Sequence, residues 1–221
     1  MTKISDIALL DSDKETKERY SKRLKRFGFD PRTLGWDTKK NQEARFKIAT
    51  NSVDMRGSSV LDVGCGLADF HTYLKNELID ISSYSGTDIN PDLIDYCQEN
   101  HIDAKEFMVR NFLLDPMIAD SYDIVSMFGI LNLKFTDIDN EIFAKRMIAE
   151  AFKIAKKVVV VDMLSSMVDP DYIKEDFVYY HDPLKMLDFS LSLTPHVQLR
   201  HDYGSIPQRE FLLVLRKEPW I

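Results

Sequence analysis

The sequence predicts an α/β protein with a mostly parallel, seven-stranded sheet. One observation is that segments of strand length alternate with segments of helical character, at 60–63, 84–88, 104–109, 122–127 and 158–163. The other is that two alternating segments, 197–201 and 210–216, are joined by the polar turn Gly204-Ser205-Ile206-Pro207, which is typical of a β-hairpin. Together they predict five parallel strands followed by an antiparallel C-terminal hairpin.

Composition narrows the classes of function. The 221 residues suit one domain with a sizeable core, and 44% hydrophobic with 29% charged residues is typical of globular proteins. The formal charge of −7 makes a broad nucleic-acid surface unfavourable. The two cysteines, Cys65 and Cys97, form neither a disulfide framework nor a metal site, and no segment resembles a signal peptide or a membrane span. We expect a cytoplasmic protein with free thiols, no metal and no membrane partner.

Residues 1–54 are predicted to form an N-terminal helical segment ahead of a main domain at 55–221. One helix is expected from Ser12 to about Phe27, and a second from Lys39 to about Val53 with Thr38 as its N-cap. The first helix carries a basic cluster, which is typical of a solvated helix face but could also contact an anionic substrate: Arg19, Lys22, Arg23, Lys25 and Arg26.

The stretch from Val60 to Asp69 organises the rest of the chain. A buried strand ends at Val63, Gly64 and Gly66 form a turn, and Asp69 is placed to cap the following helix. This strand–turn–helix arrangement lets backbone N–H groups approach a nucleotide closely. A glycine turn can also serve backbone geometry alone, but Asp88, at the end of the second strand, favours a ligand because it can accept hydrogen bonds from both ribose hydroxyls.

The same stretch distinguishes two ligand classes. A dinucleotide-binding turn has a third glycine, and here Asp69 occupies its place. Asp62, at the end of the strand, would repel a pyrophosphate and suits a cation. Both features favour a positively charged nucleotide ligand over a dinucleotide.

The stretch from Val60 to Asp69 resembles the first motif of the class I S-adenosylmethionine-dependent methyltransferases, D-x-G-x-G-x-(G/A), and Asp88 resembles their ribose-binding acid. The resemblance continues to the C-terminus. It implies a Rossmann-like three-layer sandwich with an N-terminal helical lid, S-adenosyl-L-methionine as the cofactor, and methyl transfer as the activity.

The resemblance also implies the cofactor contacts: Asp62, Gly64, Cys65, Gly66, Asp88, Ile89, Asn111, Phe112 and Phe128. Ile89 would pack against adenine, and Asn111 would accept a hydrogen bond from the adenine amino group through its side-chain oxygen. Asn is also a common turn residue after a strand. Phe128, in the loop after the fourth strand, would flank the methionine part of the cofactor.

Trp36 and Arg45 are unusual in the segment before the motif, which folds over the cofactor in many methyltransferases. Arg45 is expected to pair with the methionine carboxylate of the cofactor through a bidentate fork. The alternatives are a surface ion pair for Arg45 and a core position for Trp36.

The aromatic stretch after the fifth strand supplies the candidates for catalysis. A base is needed only if the methyl acceptor must lose a proton, and His181, Tyr180 and Tyr179 are the best placed, although a buried His is often purely structural. We expect methyl transfer to a small molecule, with nucleic acid disfavoured. The alternatives are a protein or RNA methyltransferase that docks through the basic helix near Arg23, and a non-catalytic cofactor-binding regulatory or scaffold protein.

Overall fold

The structure, a computed structural model, describes residues 4–202 and 209–219, so the predicted turn at 204–207 lies outside the described residues. The helices are α1 Asp6–Phe27, α2 Lys39–Ser52, α3 Asp69–Asn76, α4 Pro91–Asn100, α5 Asn140–Ile154 and α6 Pro183–Leu193, with a short 3₁₀ helix at Pro31–Leu34. The strands are β1 Ser59–Val63, β2 Ser83–Asp88, β3 Glu106–Val109, β4 Tyr122–Phe128, β5 Ala155–Leu164, β6 Val197–Arg200 and β7 Glu210–Arg216.

One compact unit, Ser5–Pro116, contains α1 to α4 and the parallel strands in the order β3-β2-β1. The register pairs Val63 with Thr87 and Asp88 with Val109. The carboxyl ends of the three strands therefore lie at one edge. This edge carries the glycine turn after β1, the acid that ends β2 and the asparagine that follows β3.

The other unit comprises the described residues from 117 onward together with Ile4. Here β4 and β5 are parallel, and β7 runs antiparallel to both β5 and β6, in the order β4-β5-β7-β6. The run Val158 to Val161 is fully or almost fully buried, as its β-branched sequence predicts for an interior strand. Helix α5 packs on β4 and β5, and α6 packs on β6 and β7.

The predicted fold class is confirmed, because the seven strands form a mostly parallel sheet with one antiparallel hairpin at its C-terminal end. Two local predictions were wrong. Helix α1 begins at Asp6 rather than Ser12, because Ser5 caps it and accepts a hydrogen bond from the Ala8 N–H at 3.2 Å. Asp69 does not cap α3, since the N-cap is Ala68 in the left-handed conformation, with φ 56°.

The hairpin strand β7 should contribute strongly to stability. Leu213 is completely buried, so Leu213→Ala should lower the free energy of unfolding by about 2–5 kcal/mol, through lost burial and the remaining cavity. Leu191, which is 49% exposed on α6, is the matched control, and Leu191→Ala should change stability by less than about 1 kcal/mol. Urea denaturation of the two variants measures this, and equal losses would contradict the assignment of β7 to the core.

Candidate functional site

The glycine turn after β1 is held against the end of β2 by backbone hydrogen bonds. The N–H groups of Gly64 and Cys65 both donate to the carbonyl oxygen of Thr87, at 2.7 and 2.9 Å. Gly64 and Gly66 have φ of +72° and +55°, a region that other residues adopt only at a cost. A Cβ on Gly66 would also lie 2.7 Å from a methyl carbon of Leu34. The φ of this residue therefore favours glycine at position 66, and the Leu34 side chain would have to move to admit a Cβ there.

Asp88 closes this arrangement from the other side. Its Oδ2 accepts a hydrogen bond from the Gly66 N–H at 3.1 Å, and its Oδ1 accepts one from the Asn90 N–H at 2.9 Å. Burial raises the pKa of Asp88, although these backbone N–H groups act in the opposite direction. Each carboxylate oxygen can accept more than one hydrogen bond, so the carboxylate can still receive the two hydroxyls of a ribose.

Asp62 has a partner that the sequence analysis missed. The Asp62 side chain is buried, and its Oδ2 accepts a hydrogen bond from the Tyr84 hydroxyl at 2.6 Å. Burial, with a contribution from Asp62, raises the pKa of Tyr84 well above its usual value, so Tyr84 stays a donor. The available signal was the position of Tyr84 in the strand that pairs with β1.

The thiol of Cys65 faces the core. A Cβ on Gly86 would lie 2.7 Å from its Sγ, and Cys97 contributes a neighbouring buried thiol whose Sγ lies 3.2 Å from the Gly66 carbonyl oxygen. The hydrogen bond with Cys97 and burial raise the pKa of Cys65, which keeps the thiol protonated. Only the backbone of Cys65 is therefore placed to contact a ligand.

The Asn111 side chain is already engaged at the end of β3. Its Oδ1 accepts hydrogen bonds from the N–H groups of Leu113 and Leu114 at 2.9 and 2.8 Å, and its Nδ2 donates to Asp13 at 2.6 Å. The predicted contact between the Asn111 oxygen and an adenine amino group would compete with these two bonds. Of its neighbours at this edge, Phe112 is buried and Ile89 is half-buried.

Arg45 and Trp36 contact each other. The guanidinium carbon of Arg45 lies 4.4 Å from the centre of the Trp36 ring, and its Nη1 donates to the Asn41 carbonyl oxygen. Arg45 is only 1% exposed, so the alternative of a surface ion pair is wrong. From the same helix, Gln42 Nε2 donates to Asp69 Oδ2 at 2.9 Å, which ties α2 to the start of α3.

In the other unit, the predicted catalytic residues lie along the carboxyl ends of β4 and β5. The Tyr179 N–H donates to the Asn132 carbonyl oxygen at 2.9 Å, in the loop after β4. The His181 N–H donates to the Leu164 carbonyl oxygen at 2.8 Å, at the end of β5. The aromatic stretch therefore follows the edge to which Phe128, the last residue of β4, also belongs.

The His181 imidazole is held in one tautomer. It is 1% exposed, and its Nε2 lies 2.9 Å from the Leu131 carbonyl oxygen, which can only accept. The proton therefore sits on Nε2, and Nδ1 is a bare acceptor that has no hydrogen-bond partner in the described part of the chain. Burial lowers the pKa of His181 to about 4, so the ring is neutral at pH 7. The Tyr179 ring lies edge-on at 4.8 Å, and the Tyr180 hydroxyl lies 3.3 Å from that of Tyr172.

Comparison with protein-family models identifies the chain. Residues 37–184, about two-thirds of its length, match the model of the ubiE/COQ5 methyltransferase family. The chain belongs to the ubiE/COQ5 methyltransferase family. The predicted membership of the class I S-adenosylmethionine-dependent methyltransferases is confirmed, and with it S-adenosylmethionine as the cofactor. A search of curated proteins gave no significant match.

Solved structures share the fold at low sequence identity. The magnesium protoporphyrin IX methyltransferase of Synechocystis PCC 6803, solved with bound S-adenosylmethionine, aligns with a TM-score of 0.66 and 11% identity, over 99% of this chain and 100% of that one. Phosphoethanolamine N-methyltransferase 1 of Haemonchus contortus gives 0.65 and 13%, over 99% and 51%. The small RNA methyltransferase HEN1 gives 0.61 and 14%, over 81% and 26%.

Two further properties concern the described residues, 4–202 and 209–219, alone. None of their helices has the length and apolar character needed to cross a bilayer. Their His, Cys, Asp and Glu side chains form no group of three or more that could hold a metal ion.

The geometry of the glycine turn leads to a prediction for Gly66, with Gly57 as the matched control. Gly66→Ala should lower the free energy of unfolding by more than Gly57→Ala, because both residues have left-handed φ, at +55° and +67°, but only Gly66 faces a neighbouring side chain. The φ penalty alone is about 1–2 kcal/mol. Gly66→Ala should also weaken binding of S-adenosylhomocysteine on the order of tenfold or more, whereas Gly57→Ala should not change it. Denaturation and calorimetry measure the two effects, and equal binding by both variants would show that Gly66 is not at the ligand.

The buried His181 should make stability depend on pH. Its folded pKa, about 4, lies below the usual value of 6.5, so the unfolded chain takes up a proton first as the pH falls. Between pH 6.5 and 4 the group should therefore cost up to about 1.4 kcal/mol of stability per pH unit. His181→Gln keeps a donor for Leu131 and removes the titration, so its unfolding free energy should vary less with pH than that of the parent. Parallel pH profiles would contradict the lowered pKa of the buried His181 ring.

Proposed function

We propose that this ubiE/COQ5 family member transfers a methyl group from S-adenosylmethionine to a small-molecule acceptor. The observation that carries the proposal is the His181 imidazole, which is buried, neutral and has a bare Nδ1 at the carboxyl edge of β4 and β5. Because the imidazole is covered by the protein, a small methyl acceptor can reach it more easily than an acceptor group on a macromolecule. Two of the three related folds are, by their names, methyltransferases of small molecules, magnesium protoporphyrin IX and phosphoethanolamine.

The residues around the glycine turn fit the cofactor. The backbone of Gly64 and Gly66, which carries no side chain, allows close approach, and the half-buried Asp88 carboxylate retains acceptor capacity for ribose hydroxyls. Ile89 and Phe112 would border the adenine. When bound, the cofactor supplies an electrophilic methyl group through its sulfonium, so the protein's task is binding and positioning.

The N-terminal segment, residues 1–54, would then act as the lid over the cofactor and 55–221 as the catalytic domain. Within the Ser5–Pro116 unit, Arg45 is held by Trp36 and by its own helix. We propose that Arg45 pairs with the methionine carboxylate, and that Asp62, Cys65 through its backbone, and Phe128 complete the cofactor contacts.

His181 is proposed as the proton acceptor. Because Nε2 carries the proton and donates to Leu131, Nδ1 is fixed as the basic atom, and the burial that lowers its pKa to about 4 prevents it from being protonated in advance. Tyr179 and Tyr180 would orient the acceptor. Such proton transfer typically contributes 10²–10⁴-fold to a rate.

The macromolecular alternative is less well supported. Arg23, the centre of the proposed docking helix, donates to the carbonyl oxygens of Arg32 and Thr33 at 3.1 and 3.0 Å, which is a structural use of this side chain. A non-catalytic scaffold is also less well supported, because nothing in such a role requires a buried imidazole with a bare nitrogen.

Ligand binding is the first test. S-adenosylhomocysteine should raise the melting temperature, and NAD should not. Asp88→Ala should weaken binding of S-adenosylhomocysteine by roughly 2–3 kcal/mol, the scale of hydrogen bonds to a charged group. The control is Asp95→Ala, an exposed acid on α4. Stabilisation by NAD alone, or unchanged affinity in Asp88→Ala, would contradict the proposed site.

Methyl transfer is the second test. Cofactor labelled with tritium in its methyl group is incubated with the enzyme and with separate small-molecule, RNA and protein fractions, and the label should enter the small-molecule fraction. His181→Gln should lower that transfer on the order of 10²-fold without changing affinity for S-adenosylhomocysteine. The control is His196→Gln, at a half-buried position just before β6, which should match the parent. Label in RNA or protein would refute the proposed acceptor class, and full activity of His181→Gln would refute its role as base.

A further inference from the structure

After the carboxyl end of β3, the structure presents a hydrogen-bond donor at the position where the adenine amino group would need an acceptor. The two N–H groups of Leu113 and Leu114 fix the orientation of the Asn111 amide, because both must point to its oxygen. The amide therefore presents Nδ2, which carries only hydrogens. The exocyclic amino group of adenine is also a donor, so Asn111 in this orientation cannot recognise it.

Helix α1 supplies the missing acceptor. Asp13 Oδ2 receives the hydrogen bond from Asn111 Nδ2 at 2.6 Å, and the structure gives Asp13 no other hydrogen bond among the described residues. Asp13 is half-buried, and burial raises its pKa, against the effects of Asn111 and Lys17. The second carboxylate oxygen and the remaining lone pairs of the first can still accept hydrogen bonds.

The same face of α1 extends to the proposed ribose acid. Asp13, Lys17 and Tyr20 follow each other at helical spacing and so share one face. Lys17 lies close enough to lower the pKa of both Asp13 and Asp88, and burial, with a contribution from Asp88, raises the pKa of Tyr20. This face therefore links the end of β3, where Asp13 binds Asn111, with the surroundings of Asp88 at the end of β2.

We propose that Asp13 accepts a hydrogen bond from the exocyclic amino group of the cofactor's adenine, with Asn111 as a positioning residue that holds the carboxylate in place. This inference rests on the proposed placement of the ribose at Asp88. It assigns nucleobase selectivity to the N-terminal helix rather than to the loop after β3.

The chemistry predicts discrimination between adenine and hypoxanthine. In S-inosylhomocysteine an oxygen replaces the amino group, so an acceptor would face the Asp13 carboxylate, and two acceptors repel. In Asp13→Asn the amide can turn its NH₂ toward that oxygen. The substitution should therefore reduce affinity for S-adenosylhomocysteine and raise affinity for the inosine analogue.

Calorimetry with both ligands tests the proposal. The parent should prefer S-adenosylhomocysteine on the order of 10-fold to 100-fold, Asp13→Asn should lose most of this preference, and Glu18→Gln, an exposed acid on the same helix, should keep it. If Asp13 had a purely structural role, Asp13→Asn would weaken binding of both ligands equally, and an unchanged ratio of affinities would overturn the proposal.

Asp88→Ala is measured alongside and should weaken binding of both ligands without changing the ratio of their affinities. Unchanged affinity in Asp88→Ala would refute the ribose placement instead, so the two failures are distinguishable.

Discussion

The hydrogen bond from the Gly66 N–H to the Asp88 carboxylate is the constraint on which the site depends. It joins the turn after β1 to the end of β2, and the Thr87 carbonyl holds the first half of that turn in the same way. The half-buried carboxylate accepts hydrogen bonds from backbone N–H groups, and the Gly66 N–H reaches it from a turn in which Gly64 and Gly66 have left-handed φ. The glycines, the strand register and the acid are therefore one arrangement, and a change in any of them disturbs the others.

The N-terminal helix is built onto this arrangement by polar contacts. Ser21 lies between Asn90 and Asp92 at 3.3 Å from each, next to the end of β2, and Asp13 binds Asn111 after β3. Such contacts are individually worth about 1 kcal/mol, far less than a packed apolar face. Displacing a helix attached mainly in this way should cost little, which suits the lid that we propose for residues 1–54.

The sequence predicted where strands and helices follow one another along the chain, but not the hydrogen-bond partners of single side chains. Alternating periodicity and apolar runs located the strands, because these signals are local and have a direct backbone cause. The Asp62–Tyr84 bond and the Asp13–Asn111 bond join residues 22 and 98 positions apart, and no local pattern encodes such pairings. Asp69 was misjudged for a related reason, because Gln42 on another helix takes its carboxylate.

The most direct test of the proposed ribose site is the pKa of the Asp88 carboxyl. Carbon-13 NMR can measure this pKa in the free protein and in the protein with S-adenosylhomocysteine bound. Burial should hold this pKa above the usual 3.8 in the free protein. Ribose hydroxyls that donate to the carboxylate favour its charged form, so the pKa should fall when the ligand binds. A pKa that rises or does not change on binding would show that the ribose lies elsewhere and that this carboxylate serves the turn alone.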